Sequence, residues 1–568
     1  MPRRPSAAPA AGRAVGGARV HPRRERAVRP PARLRPHDRA APRDRPGRQA
    51  GRGRRLPRRE RAAQRRTGPV VHRHLPGLAR RRPSRRAPAR GRRRGHEGAL
   101  GAPPVTADAP AARRLARFVC GLDAARLPAR VVDQASLLAL DTLGCGLAAV
   151  PLDFGASVLA AARRLGGPPE STLLGGGRAG AASAVLANAT LAHGLDFDDT
   201  REDAIVHTGC VAVPVALAVA EATGASGRAA LGAIVAAVEV ACRVGLAVPG
   251  RFHARHFHPT ALAGCFGAAA AAGRLYGLDD ERLAHAFGVC GSQAAGIIEY
   301  LADGSWTKRL HAGWAAHAGV VAALLAREGF TGPRAVLEGD HGLYAAFAGG
   351  HDPSRLEALL GTLGREWEIE RLTFKPYPCG SIAQPYMDCA ARLRREHGPA
   401  PEQIAEVRCR TAAGPVPRLW EPLEAKRRPP NGYAAKFSLP YLVALVLANG
   451  HAGLDDFSDA AVADERVLAL AARVGYEIDP AIDYPRRFVG HVAVRLRDGR
   501  VLEAAQDHPR GGPDSPLTRE ELEAKFRSNA RASLPPDRVE AVVAAVAGLA
   551  GAPGVDALAR ALQREGPA

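Results

Sequence analysis

Six long stretches rich in small apolar residues follow one another between residues 131 and 329, and no other feature limits the fold as strongly. They are VVDQASLLALDTLGCGLAAV, AASAVLANATLAHGLDF, CVAVPVALAVAEATG, GRAALGAIVAAVEVACRVG, PTALAGCFGAAAAAGRLYG and TKRLHAGWAAHAGVVAALLAREG. Each is long enough for a helix of several turns, is punctuated by Gly or Pro, and is apolar on more than one face. Helices surfaced with alanine and glycine can approach closely and bury one another. The expected class is therefore mainly α, built on an all-helical core.

The texture changes after FKPYPCG. AEVRCRT (405–411) alternates as a half-buried strand does, and HVAVRLRDGRVLEA (491–504) reads as a hairpin with Asp498 and Gly499 in its turn. Helix returns at SPLTREELEAKFRSNA, where Thr518 and Glu521 have the spacing of a capping box. The expected organisation is a large helical domain over 106–374, completed by 510–568, with a second, smaller α+β domain over 375–509.

A net charge of +24 suggests a nucleic-acid partner, but its distribution removes the suggestion. Residues 1–100 hold 32 arginines, no lysine and five acidic residues, whereas the remaining 468 carry 48 basic and 51 acidic ones. The Arg/Pro-rich leader, 1–105, has no helical or strand period and too little apolar content for a core. It reads as a start placed too far upstream. Arginine without lysine is what GC-rich codons yield out of frame, and Val105 in PPVTADAP offers an alternative initiator. A genuine disordered basic arm competes with that reading. A transit peptide fits less well, since Ser6 and Ser84 are the leader's only serines. For the folded part, no nucleic acid is expected. Nine scattered cysteines without a C-x-x-C pair predict reduced thiols and a cytoplasmic protein. The longest uncharged stretches, such as 310–326, are too short to span a membrane, and no secretory signal is visible.

LAHGLDFDDTREDAIVHTG (191–209) crowds three aspartates and Thr200 into five positions, with His193 before and His207 after. Read as the end of a helix over 181–197, it places His193 and Asp196 one turn apart and Asp196 and Thr200 four residues apart, on one face. Neither an EF-hand pattern nor a zinc spacing is present, so no metal is expected. Carboxylates at a helix C-terminus oppose its dipole and repel one another, which should raise a carboxyl pKa and ready it for proton transfer. Simple capping and solvation of the helix end is the alternative. GGGRAG (175–180) matches a dinucleotide fingerprint letter for letter, but the Ala-rich helix that follows leaves no second strand for that fold.

ADGSWTKRLHAGWAAHAG opens a long helix that Ser305 or Thr307 can cap. Lys308, Arg309 and His311 in its first turn oppose the dipole and need an anionic partner; with the free backbone N–H groups they form a receptor for carboxylate or phosphate. Lysine is rare, occurring only at 308, 375, 426, 436 and 525. RFHARHFHPTALAG offers His253, His256 and His258 just before a helix, and FKPYPCGSIAQ offers Lys375, Tyr377 and Cys379 beside two stiffening prolines. No Ser/Cys–His motif supports Cys379 as a nucleophile.

Taken in order, LAHGLDFDDT with His207, FHPTALAGCFGAAAAAGRLYGLD, GSWTKRLHAGWAAHAGVVAALLAREGFTGP and FKPYPCGS resemble the hallmark segments of the MmgE/PrpD family, which includes 2-methylcitrate dehydratase, cis-aconitate decarboxylase and iminodisuccinate epimerase. The resemblance covers 107–565. It implies a helical domain with an α+β lid, a homodimer, and catalysis on a small polycarboxylate without metal or organic cofactor. It also implies that Asp196 and Thr200 are the active-site acid and threonine, His207 the histidine that follows them, Lys308 the catalytic lysine and Tyr441 of FSLPY the lid tyrosine. Some positions depart from the family pattern. The decarboxylase branch's histidine falls on Gly380, the epimerase branch's tyrosine falls near His253, and Arg201 stands where a histidine usually follows D-D-T.

The resulting expectation is a cofactor-independent hydro-lyase or isomerase of a 2-methylcitrate-like di- or tricarboxylate. Lys308 and His207 exchange protons with substrate, Asp196 tunes them, and Thr200 bonds substrate. Arg309, His258, His311, Lys375, Tyr377 and Tyr441 bind it while the lid closes. An epimerase or racemase with Lys308 and His253 as opposed bases, and a non-catalytic metabolite-binding paralogue, are the alternatives.

Overall fold

The structure, a computed structural model, describes residues 109–563; the readings of the leader 1–105 lie outside them. The small-residue segments form the helices Ala129–Ala149, Ala181–His193, Gly209–Thr223, Gly227–Leu246, Pro259–Leu275 and Thr307–Arg327. Their glycines explain how closely they pack. A β-carbon on Gly319 would fall 2.3 Å from that of Ala268, and one on Gly313 would fall 2.1 Å from Thr190 Oγ1. The helix Thr307–Arg327 thus lies backbone-close against both Pro259–Leu275 and Ala181–His193. Gly227–Leu246 is enclosed almost all round, with Ile234, Val235, Val238 and Val240 fully buried, each contributing about 1.5–3 kcal/mol of apolar transfer.

One hydrophobic core draws on residues from Ala111 to Phe374 and from Leu522 to Leu562; a second draws on Tyr377 to Ala504. The chain therefore leaves the helical core, builds the second one, and returns. The returning helix Arg519–Ala530 starts with the capping box, Thr518 Oγ1 accepting from Glu521 N–H at 3.2 Å and Glu521 Oε2 from Thr518 N–H at 2.8 Å. It packs closely on Ala129–Ala149, where a β-carbon on Gly144 would fall 3.0 Å from the Phe526 ring.

The second core is covered by a four-stranded sheet. Ile404–Thr411 pairs parallel with Val474–Ile478 and antiparallel with Gly490–Leu496, which pairs in turn with Val501–Gln506. The last pair is the hairpin read from the sequence, with Gly499 at φ +91° in its turn. The first three glycines of GGGRAG lie in the turn of a small hairpin, Ser171–Thr172 with Arg178–Ala179. Two helices, Ala129–Ala149 and Gly227–Leu246, do reach membrane-spanning length and apolarity, which the uncharged stretches alone did not indicate. Both are largely buried among their neighbours.

Candidate active site

The helix Ala181–His193 ends earlier than its apolar pattern suggests. Gly194 follows against the Phe154 ring, where a β-carbon would lie 2.3 Å from Cζ, and Asp196 takes a left-handed conformation, φ +56°. Asp is among the few non-glycine residues that tolerate it. The helical spacing argument for His193, Asp196 and Thr200 is therefore corrected: these residues meet through a loop. Four of the chain's five lysines hold that loop. Lys436 Nζ donates to Leu195 O at 2.7 Å and Lys525 Nζ to Phe197 O at 2.7 Å. Lys375 Nζ donates to Asp196 O at 3.0 Å and to Oδ1 at 2.6 Å, and Lys308 Nζ binds Oδ2. Asp196 and Lys308, the two residues on which the functional reading most depends, are in direct contact.

Crowding sets the three carboxyls apart. Asp196 is 1% exposed; burial alone would raise its pKa, but Lys308 and Lys375 together hold it well below the usual range. Asp198, bonded to His193 Nδ1 at 2.7 Å, is likewise lowered, its burial outweighed by His193 and His207. Asp199 is the carboxyl that rises, to about 7, through burial and the neighbouring Asp198. It accepts from Thr208 N–H at 3.0 Å, Thr208 O–H at 2.9 Å and Gly209 N–H at 2.8 Å, so it anchors the start of Gly209–Thr223. Asp199 is thus a buried carboxyl that ties down the next helix and not the solvated cap of the preceding one, while Asp196 is a fixed anion.

The lysine helix differs in detail from its expected start. Trp306 occupies the N-cap and neither Ser305 nor Thr307 caps with its side chain. The anion that its first-turn cations need is supplied by Asp196. Burial pushes the Lys436 ammonium down to about 7, against the pull of Asp196. Asp196 and Asp198 overcome the burial of Lys375 and push it upward.

The histidines form a cluster. His207 Nδ1 lies 2.6 Å from Asp199 O and 3.0 Å from Thr200 Oγ1. A carbonyl only accepts, so Nδ1 carries the hydrogen and Nε2 of the neutral ring is the free lone pair. Burial and then Lys375 hold His207 well below its ordinary pKa. His258 is lowered by burial and His311, whose Nδ1 is 3.2 Å from its own. Burial takes His311 down to about 4 and, with Arg418, His253 down to about 3. Ring nitrogens of His193, His207 and His258 lie within 4.8 Å of one another. The other clustered set, His193, Asp198 and Cys210, includes a thiol held well above its usual pKa by burial.

These groups face a small cavity of about 70 Å³ between the two cores, tighter than the roughly 300–1,000 Å³ of ordinary small-molecule sites. Asp196, His207, His253, His258 and Lys308 line one side, while Gly380, Ser381, Arg418, Phe437 and Phe488 come from beyond residue 375. Thr200 Oγ1 lies 2.7 Å from Ser381 Oγ, joining the two sides.

Other expected binding residues sit behind the wall. Lys375, 0% exposed, backs Asp196, and His311 backs His258. Arg309 is stacked between Phe154 and Tyr433, 4.1 and 4.2 Å from their ring centres. Two expectations are corrected outright. Tyr377 donates its hydroxyl to Asp388 at 3.1 Å, and Tyr441 is buried in the second core; neither faces the cavity. Cys379 is buried, its thiol pushed up to about 12, which suits packing and not nucleophilic attack. Arg418 carried no recognisable signal in the sequence, whereas Ser381 and the His193–Asp198 pair lie in quoted segments but were not given a role there. Arg418 reaches the cavity through His253 O, 165 residues away and 3.2 Å from its Nη2.

Comparison with known proteins identifies the family of both parts of the chain. The MmgE/PrpD N-terminal domain matches residues 113–356 and the MmgE/PrpD C-terminal domain matches 377–549. The chain is 26% identical over 448 residues to the cis-aconitate decarboxylase-like protein oryM of Aspergillus oryzae, covering 75% of this chain and 92% of that protein. It is 27% identical over 450 residues to cis-aconitate decarboxylase of Homo sapiens, covering 76% and 90%. Against 2-methylcitrate dehydratase of Cupriavidus necator it is 30% identical over 240 residues, covering 39% and 47%.

Proposed function

The chain belongs to the MmgE/PrpD family, and from that premise we propose that it is a lyase that eliminates water from a small tri- or dicarboxylate with acid and base drawn from its own side chains. One observation carries the reading. A histidine whose Nδ1–H is committed to a backbone carbonyl, leaving Nε2 as a base, lines the same cavity as an ammonium paired with a buried aspartate. His207 Nε2 takes the proton from the carbon next to a carboxylate. The electron pair of that C–H bond forms the double bond, the C–O bond breaks, and Lys308 supplies the proton with which the hydroxyl leaves as water. A positioned acid or base of this kind contributes roughly 10²–10⁴-fold each. Ser381 offers its hydroxyl to the substrate, the buried Thr200 positions that hydroxyl from 2.7 Å, and Asp196 keeps the lysines oriented.

The test is turnover of citrate, 2-methylcitrate and tartrate, followed by ultraviolet absorbance of the new double bond and by mass loss of one water. His207→Ala and Lys308→Ala should each lower kcat at least about 10²-fold; unchanged turnover in either variant overturns the assignment.

The longer likeness to cis-aconitate decarboxylases favours a second reading, release of carbon dioxide from an unsaturated tricarboxylate. Gly380, standing where that branch is expected to carry a histidine, counts against it, and carbon dioxide evolution from cis-aconitate separates the two. Deuterium uptake from heavy water without loss of water would instead support epimerisation. Homodimeric assembly in the cytoplasm is part of the same proposal. The nine free cysteines support a reducing compartment, and sedimentation of the purified protein tests the dimer.

A further inference from the structure

We propose that Arg418, carried by the second domain, is the anchor for one carboxylate of the substrate; the inference rests on the polycarboxylate reading above and names the group that recognises it. The argument begins with charge. A di- or tricarboxylate entering the cavity needs positive charge that the protein has not already neutralised, and most of the nearby cations are committed. Lys308 and Lys375 share Asp196, and Lys525 is paired with Asp141 at 2.7 Å. Lys436 is buried behind the loop on Leu195 O. The cavity histidines are held neutral by burial. Among the described residues on the cavity wall, Arg418 is the cation with no carboxylate within ion-pairing distance.

Geometry agrees with the charge argument. Arg418 lies on the short helix Val416–Leu419, and the residues after it, Leu419 and Trp420, are sunk into the second core. The backbone is thereby fixed while the half-buried guanidinium reaches the cavity. Its side chain makes one hydrogen bond, from Nη2 to His253 O. The remaining N–H groups of a planar five-donor fork are available, and that fork matches a carboxylate in a bidentate manner. The neighbouring walls, Phe437, Phe488, Leu301 and Ile382, are apolar, which strengthens such a pair by excluding water. The proton-transfer groups stand on the helical domain and this anchor on the other, so a substrate held at both ends bridges the two.

The experiment measures binding of propane-1,2,3-tricarboxylate, an unreactive tricarboxylate, by calorimetry to the full-length protein and to Arg418→Gln and Arg418→Lys, with folding of each checked by thermal unfolding. Arg418→Gln should weaken binding at least about 30-fold, as expected for loss of one partner of a desolvated charge pair. Arg418→Lys should recover part of it, because charge returns without the fork. With the reactive substrate, Arg418→Gln should raise KM far more than it lowers kcat, whereas Lys308→Ala lowers kcat. Binding by Arg418→Gln within threefold of the unaltered protein overturns this inference and leaves the lyase reading standing. Failure of the unaltered protein to bind any polycarboxylate overturns both.

Discussion

Asp196→Asn is the most informative single change. Asn has the same shape and also tolerates φ +56°, so the backbone is not the variable. What disappears is the counter-charge of two ammoniums, one of them, Lys375, fully buried. Removing one partner of a buried pair costs about 3–5 kcal/mol. An independent bound comes from the lysine itself. Deprived of Asp196, Lys375 keeps only Asp198, 4.0 Å away, and sheds its proton at a cost of up to about 4 kcal/mol for a group of ordinary pKa 10.5 held neutral at pH 7.5. The two figures agree, and the second one has a pH signature. In the variant, Lys375 is neutral when folded and protonated when unfolded, so the unfolded chain binds more protons and stability rises with pH. The deficit should shrink by up to about 1.4 kcal/mol per pH unit between 7.5 and 9.5. In the unaltered protein Asp196 raises the Lys375 pKa, so the ion pair's contribution is already complete below 10.5. Guanidinium unfolding of both proteins at pH 7.5, 8.5 and 9.5 measures the difference. A deficit below about 1 kcal/mol, or one independent of pH, would refute the view of Asp196 as the shared counter-ion.

Three further outcomes are expected. Because burial and Lys375 lower the His207 pKa, the acid limb of kcat/KM should fall below pH 6.5; a limb at or above 6.5 that disappears in His207→Ala contradicts the buried-base assignment. Glu202 is raised from 4.5 to about 7 by burial, so its contribution to stability is complete below pH 4.5 and lost as pH rises through about 7. The melting temperature of Glu202→Gln should accordingly change less with pH than that of the unaltered protein between pH 4.5 and 7. Lys525→Met, remote from the cavity wall, removes bonds to Phe197 O, Lys375 O and Asp141. It should cost about 3–5 kcal/mol, as for a broken buried pair, and its kcat should fall with little change in KM.

The helices were legible because small-residue repetition is a local property, and the hairpin and capping box because turn and cap chemistry is local too. The Asp196 loop was not. Its apolar lead-in continues the helical pattern to Phe197, and the chain departs from it at Gly194 because Phe154 and four lysines take the place a further turn would occupy. The rarity of lysine was visible; that four of the five converge on one loop was not. Tyr377 and Tyr441 sit in segments whose neighbours do line the cavity, and only the packing of the second core decides which way each ring turns. Arg418 carried no motif, because its role follows from what the surrounding cations are already paired with.

The lysines that grip residues 195–197 stand 112, 179, 241 and 328 positions further along the chain. Contacts so distant in sequence close late, since each requires a large loop of chain to be ordered first. A ribosome must therefore release nearly the whole polypeptide before this loop can lock. Fragments cut between the domains should remain chemically inert however well each half holds its shape, and reactivity should return only when both halves are brought together.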